Sequence, residues 1–538
     1  SFFSHFYYIF AWIMLGTTWR QLDNYRNLMD IRKKIDCFLP CNDLQRAATI
    51  AEQFQHNDTV NQIYLLVSGK ATTSKGLPEG ISTIAVDNLL SADTMRAMAE
   101  ATTADYALFY MKSTPVTLGY QAIDRFMQVA SATDAMLVYA DHYSVEGGQT
   151  VKHPVIDYQA GSIRDDFDFG SLVLIDGGAL KAYAKLAVEA QYVFAGWYDL
   201  RLFLSRMGQV FHLNEYLYTE EEDDLRASGE KQFDYVNPRN CEVQIEMEKV
   251  ATAHLEAVGA LVDTANYAQP DFEGGNFGVE ATVVIPVFNR EKTIRDAVES
   301  ALKQKTDFKY NVIVVDNHSS DKTTEILARL ANNDKRLIHL VPNRHDLGIG
   351  GCWNYAVNNE NCGRFAVQLD SDDLYSSENT LQKVVDAFHE QKAAMIIGSY
   401  RMCDFELNTL PPGLIDHAEW TDDNGCNNAL RINGLGAPRA FYTPLARAVR
   451  FPNTSYGEDY AVGLAFSRCY RIGRIYDELY LCRRWGGNSD AALSIEKVNA
   501  NNLYKDRIRT IELSARKALN KCGDKEGATR LEPFFTVS

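Results

Sequence analysis

From residue 35 onward, apolar positions fall into short runs separated by segments of helical spacing. Residues 35–40 predict a strand and 44–54 an amphipathic helix; strands follow at 62–67 and 81–86, then a helix at 92–101. A strand at 105–110, a helix at 119–130 and a strand at 135–140 continue the alternation. Strands and helices in strict alternation imply a parallel sheet flanked by helices, because a parallel crossover needs enough chain to form one.

The run Thr219-Glu-Glu-Glu-Asp-Asp224 reads as a solvated segment rather than a metal site. Residues 240–262 have helical spacing, with Val243, Met247, Val250, Leu255 and Val258 among the apolar positions. Residues 268–278, with Pro270 and three glycines, read as a linker. The alternation then restarts: strand 281–288, helix 290–302, strand 311–316, helix 322–331, strand 337–341, a helix from about 350, and strand 365–369. The expected divisions are an apolar segment at 1–34, a first α/β domain at 35–225, a helical linker at 226–278 and a second α/β domain at 279–538. Side by side, the two domains align as a diverged duplication. Tyr106-Ala-Leu-Phe-Tyr-Met-Lys-Ser-Thr114 falls on Phe365-Ala-Val-Gln-Leu-Asp-Ser-Asp-Asp373, so Met111 stands opposite Asp370 and Ser113 opposite Asp372. The apolar frame repeats and the acids do not.

Length and charge narrow the picture. A chain of 538 residues exceeds one ordinary core, so two or three domains are expected. A net charge of -17 excludes a nucleic-acid surface and disfavours general attraction to anionic lipid. Ten scattered cysteines without zinc spacing fit a reducing cytoplasm. The apolar stretch at 1–15 is shorter than the roughly 20 residues of a membrane span and lacks the basic start of a signal peptide. It is expected to be a loosely packed helix or a leftover of chain-start assignment, with a peripheral membrane contact as the lesser alternative.

The candidate chemistry centres on the strand at 365–369, which runs straight into Asp370, Asp372 and Asp373. Three carboxylates at one strand end repel one another and cost desolvation. A divalent cation with a preference for hard oxygen ligands would relieve both. The plain alternative is a solvated acidic turn. A second acidic pair, Glu458-Asp459, opens a helical stretch, where acids also serve as ordinary complements of the helix dipole.

Taken in order, Thr282-Val-Val-Ile-Pro-Val-Phe-Asn289, Val314-Val-Asp-Asn-His-Ser-Ser-Asp-Lys-Thr323, residues 343–356, Leu369-Asp-Ser-Asp-Asp373 and Gly457-Glu-Asp459 resemble the family 2 glycosyltransferases of the GT-A fold. The resemblance spans about 280–490, and the first domain resembles the same fold more faintly. It implies two tandem GT-A domains, Rossmann-like and of the nucleotide-diphospho-sugar transferase type, with mostly parallel central sheets. It implies that Asp316 holds uracil or ribose, with Pro286, Phe288 and Asn289 lining the nucleotide pocket. Asn343 and Gly348 belong to a glycine-rich segment that is not a P-loop; Trp353 stands where the family has Arg. Asp370 and Asp372 are the Asp-x-Asp pair, with Asp372 the direct ligand of Mn²⁺ or Mg²⁺ and Asp370 nearer the ribose or the metal's waters. Asp459 is the general base, and a single displacement implies inversion. Arg483 and Arg484 could clamp the diphosphate, with Gly486 and Gly487 permitting lid movement, although an exposed basic strand end reads almost as well. The expectation is a cytoplasmic enzyme, at the inner face of a membrane where its acceptor is lipid-linked. It would move a sugar from a nucleotide-sugar donor, UDP-linked, to a glycan or lipid-linked acceptor. The rivals are a two-site polymerase, a non-catalytic glycan- or nucleotide-binding protein, and a nucleotidyltransferase. The last would need a glycine-rich basic loop after residue 288.

Overall fold

The computed structural model describes residues 33–68, 80–186, 191–221, 241–418, 420–486 and 493–522. Most of the apolar N-terminal segment, the end of the acidic run and Gly487 lie outside the described residues. The chain forms two units: residues 1–158 with 168–223, and residues 159–167 with 224–538.

The first unit has strands β1 (Ile35–Cys41), β2 (Val60–Ser68), β3 (Ile81–Val86), β4 (Tyr106–Tyr110), β5 (Val116–Leu118), β6 (Leu137–Glu146), β7 (Gln149–His153), β8 (Leu172–Asp176) and β9 (Val210–Glu221). Their order is β3-β2-β1-β4-β8-β6-β9-β5, with β7 on the flank of β6. Strands β1–β4, β6 and β9 run one way, and β5, β7 and β8 the other. The helix expected from residue 119 instead spans Ala122–Thr133. Its start is displaced because Gly119 passes flush against β9, its N–H bonding Leu217 O at 2.8 Å, and a Cβ there would sit 2.8 Å from that oxygen. The antiparallel strand β7 and the long β9 lack a continuous apolar run and escaped the pattern reading, as did the antiparallel β8, although Leu172–Asp176 is a buried apolar run; Gly147 and Gly148, both with positive φ, turn the chain from β6 into β7.

The second unit repeats this sheet with β10 (Ala281–Val287), β11 (Tyr310–Asp316), β12 (Leu337–Leu340), β13 (Phe365–Gln368), β14 (Leu374–Tyr375), β15 (Met395–Cys403), β16 (Thr409–Ile415), β17 (Arg439–Tyr442) and β18 (Ile472–Arg483). The order β12-β11-β10-β13-β17-β15-β18-β14, with β16 on β15, matches the first sheet strand for strand. The register repeats too: Ile35 faces Tyr106 as Ala281 faces Phe365, and Cys41 faces Val67 as Val287 faces Asp316. Met111 and Ser113 are therefore the counterparts of Asp370 and Asp372. The chain folds as two α/β domains of the same topology, with mixed, mostly parallel sheets.

Strand β13 sits at the centre of the second sheet because its residues are apolar on both faces. Phe365 is fully buried and stacks on Phe388 with centroids 4.2 Å apart. Residues 268–278 carry no strand or helix, but Phe272 packs edge-on against Phe365. Residues 480–483, expected just after a short strand, are instead the end of the 12-residue β18. That strand is long because it serves both β15 and β14.

Behind the sheet, the Glu458–Ser467 helix is fixed to the Ile495–Cys522 helix by buried charge. Glu512 accepts from Arg468 Nη2 at 2.5 Å and Arg516 Nε at 2.7 Å. Arg516 is completely buried and Glu512 nearly so. Glu512→Leu should leave two buried guanidiniums without their acid and lower unfolding stability by about 3–5 kcal/mol, read from urea denaturation.

Candidate active site

The site lies at the carboxyl ends of β10, β11 and β13, where parallel strands leave backbone groups and turns to carry polar side chains. The β10 end exposes Phe288, 54% accessible, just after Pro286. Asn289 has φ 51°, a left-handed conformation that Asn tolerates better than most residues. Its Oδ1 accepts from Ser320 N at 2.7 Å, and its N–H donates to Ser319 Oγ at 3.0 Å, so it ties the β10 end to the loop after β11.

Asp316 ends β11 with no exposed surface. It accepts from Ser319 N at 3.0 Å, Thr324 Oγ1 at 2.5 Å and His339 Nε2 at 3.3 Å. Burial alone would raise its pKa, but these hydrogen bonds outweigh it and hold the carboxylate well below its ordinary range. The group expected to grip a nucleoside is thus turned inward as the hub of its own loop. Its neighbour Asn317 carries a buried Oδ1 without a hydrogen-bond partner among the described residues, while its Nδ2 is spent on Leu347 O. His318 stacks on His345 at 3.8 Å. Asn343 is exposed on the facing loop. Gly348 donates to Asn453 Oδ1 at 2.8 Å and caps the Ile349–Val357 helix; a Cβ there would meet Thr454. Trp353 is a core residue stacked on Phe451, not a phosphate contact.

The three acids after β13 are pinned differently. Asp370 N–H bonds the Tyr480 hydroxyl at 3.0 Å, and its Oδ1 accepts from Gln368 Nε2 at 2.9 Å. Asp373 accepts from Arg483 N at 2.8 Å. Asp372 has Trp485 Nε1 at 3.3 Å and Arg290 Nε at 3.7 Å. Burial raises the pKa of Asp370 despite Arg439, and burial followed by repulsion from Asp370 and Asp372 raises that of Asp373 well above normal. Arg483 is not an exposed cation at a strand end. It is 2% accessible, donates Nε to Asp372 O at 2.5 Å and pairs with Asp296 at 3.1 Å. It braces the backbone under Asp372, which explains why it is buried. Arg484 follows, partly buried, its N–H on Cys403 O.

The second acidic pair joins this cluster. Asp459, in the first turn of the Glu458–Ser467 helix, pairs with Arg439 Nη1 at 2.8 Å. Burial would raise Asp459, but Arg439 and then Lys505 pull it below its ordinary value. Glu458 is 8% accessible, its Oε2 has no hydrogen-bond partner among the described residues, and burial plus Asp459 push it up to about 8. Lys505 lies over the Tyr456 ring at 4.6 Å, and burial brings it down to about 8.

Sequence reading found both acidic pairs. It missed Arg439, Gln368, Arg290 and Trp485, which touch them. The available signal was Arg439 itself, a cation opening the otherwise apolar run Arg439-Ala-Phe-Tyr442.

In the first unit the corresponding place is filled internally. Lys112 pairs with buried Glu220, which also accepts from Ser171 Oγ and lies 3.3 Å from His142 Nε2. Buried Val67 stands in place of Asp316.

Residues 282–452 match the family model for glycosyl transferase family 2. The matched segment lies within the second unit and runs from β10 past β17. The UDP-Glc:alpha-D-GlcNAc-diphosphoundecaprenol beta-1,3-glucosyltransferase WfgD of Escherichia coli is 31% identical over 121 residues, covering 22% of this chain and 46% of that protein. The putative teichuronic acid biosynthesis glycosyltransferase TuaG of Bacillus subtilis is likewise 31% identical over 121 residues, with 22% and 46% coverage. Among solved structures, S. aureus TarS 1–349 in complex with UDP-GlcNAc is 20% identical, covers 47% of this chain and 77% of that one, and has a TM-score of 0.31. The chain spans half or less of the length of the first of these curated relatives.

The contrast between the acids is testable without substrate. Asp316→Asn replaces an acceptor of three internal hydrogen bonds and should cost about 1–3 kcal/mol. Asp372→Asn removes one of three mutually repelling charges and should leave the melting temperature unchanged or higher. Differential scanning calorimetry of both variants, free of nucleotide and metal, checks this.

Proposed function

We propose that the second unit is an inverting, metal-dependent glycosyltransferase that moves a sugar from a UDP-linked donor to a hydroxyl of a glycan or lipid-linked acceptor. The observation that carries this reading is the meeting of Asp370, first of the three acids after β13, with Asp459 through Arg439, beside the segment that matches family 2. The E. coli relative, by its name a UDP-Glc-dependent transferase acting on a diphosphoundecaprenol-linked sugar, supports the donor and acceptor classes.

The donor set fits Mn²⁺ or Mg²⁺. The three carboxylates offer hard oxygens, and the raised values of Asp370 and Asp373 reflect negative charge crowded without enough compensation. Among the described residues no three such groups hold a metal by themselves, so diphosphate oxygens and water would complete the shell. Asp372 would be the direct ligand, with Asp370 beside it. When bound, the cation would neutralise the charge that grows on the departing diphosphate. Phe288 and Asn317 would face the nucleoside, with Pro286, Asn289, Asn343 and Gly348 shaping its pocket, and Asp316 would support that pocket from behind. Arg484 would serve the diphosphate, with Arg483 bracing the strand beneath it.

Asp459 would take the proton of the acceptor hydroxyl. The acceptor oxygen forms a bond to the anomeric carbon as the bond to diphosphate breaks, its electron pair leaving on the nucleotide. One base and one displacement give inversion. The first unit would be catalytically silent, serving acceptor binding or assembly, since a Lys112–Glu220 pair replaces the acids. No described helix is long and apolar enough to cross a membrane; work on a lipid-linked acceptor would take place at the cytoplasmic face.

Asp372→Asn should abolish most metal-dependent release of UDP while the fold persists; wild-type turnover with unchanged metal response would refute the ligand role. Asp459→Asn should lower transfer by about 10²–10⁴-fold and spare donor affinity, measured by transfer kinetics beside nucleotide calorimetry. Titration of the whole chain with UDP and Mn²⁺ should give one site per chain, and a second site surviving Asp372→Ala would show that the first unit also binds donor.

A further inference from the structure

Arg439 is the first residue of β17, and β17 lies between β13 and β15 in the sheet. That position sets it directly beyond the register pair Val367–Ala440, opposite Gln368. Its backbone N–H donates to Gln368 Oε1 at 3.1 Å, while Gln368 Nε2 donates to Asp370 Oδ1 at 2.9 Å. Its guanidinium is anchored at Nη1 by Gly436 O at 2.8 Å and reaches Asp459 Oδ2, also at 2.8 Å. A path of two hydrogen bonds and one ion pair therefore runs from Asp370 through Gln368 and Arg439 to Asp459, from the donor side of the site to its proposed base. Gln368 is 3% accessible, so the middle of this path is sealed from water.

We propose that Arg439 is a positioning residue, which holds the Asp459 carboxylate at a fixed place relative to the donor-side acids and keeps it ionised until the acceptor arrives. The proposal rests on the reading of Asp459 as base. The physical case is geometric. Asp459 sits in a helical first turn, where Arg439 is its ion-pair partner among the described residues, and an anchored guanidinium removes rotamer freedom that a free carboxylate would keep. A base displaced by about 1 Å loses much of its effect. Four charged groups surround Asp459: Arg439 from β17, Lys505 from the Ile495–Cys522 helix, Glu458 beside it, and Asp370 across Arg439. Two are cations, so loss of Arg439 leaves Asp459 with Lys505 against two acids, and its proton affinity rises.

The test compares Arg439→Gln and Arg439→Lys in the full chain, with UDP–Mn²⁺ calorimetry confirming the donor site in each. Arg439→Gln is expected to lower kcat for transfer by about 10- to 100-fold, a part of the general-base contribution. Nucleotide affinity should be kept, and the acid limb of the pH–rate profile should move to higher pH, because the carboxylate is the active form. Arg439→Lys keeps the charge but replaces the planar guanidinium by a flexible ammonium, so it should recover part of kcat with the acid limb near its original place. In an Asp459→Asn background, Arg439→Gln should add no further loss. Additive losses, or an unmoved acid limb in Arg439→Gln, would overturn the proposal and leave the transferase reading standing. Absence of any metal-dependent donor turnover in the unaltered chain would instead overturn the transferase reading itself.

Discussion

Mutual repulsion among carboxylates at the end of one buried strand governs the second unit. Asp370, Asp372 and Asp373 follow β13 so closely that they cannot separate; Asp372 and Asp373 are buried and Asp370 half-buried. Each is restrained by a different donor: Tyr480 and Gln368 at Asp370, the Arg483 backbone at Asp373, Trp485 and Arg290 at Asp372. Burial first, and then repulsion between the acids, raises the proton affinity of two of them beyond what these donors offset.

The first unit shows the same sheet with that constraint removed. Strand order and register repeat, yet Met111, Lys112 and Ser113 replace Asp370, Ser371 and Asp372. Lys112 turns to Glu220, and the charge is balanced within the protein. Glu220 is held down to about 2 because, against burial, His142 and Lys112 both favour its ionised form. The two units thus separate what the scaffold requires from what the chemistry requires. Apolar strands recur because both sheets need a core. The acids do not recur because nothing in the packing demands them.

The central helices and parallel strands were legible because apolar runs and helical spacing are local signals. Both acidic pairs were legible for the same reason, since Asp-x-Asp and Glu-Asp are contiguous in the chain. The antiparallel strands β7 and β16 were not, because exposed strands of mixed composition carry little periodicity; β8 and β17 are short buried apolar runs, which periodicity alone does not tell from helix segments. Arg483 misled: two consecutive arginines at a strand end look like an exposed clamp, whereas the first points inward to Asp372 O and Asp296.

By itself, then, the sequence determined the alternation of strands and helices, the duplication, and the positions at which acids interrupt an apolar frame. Tertiary structure decided which partners those acids have. Asp316 became an internal hub because the turn after β11 brings Ser319 and Thr324 back onto it and β12 supplies His339. Asp459 gained Arg439 because strand order inserts β17 beside β13, joining residues far apart in the chain. Local propensity acts over a few residues, whereas Coulomb partners are set by which strands lie side by side, and that ordering is a property of the closed sheet.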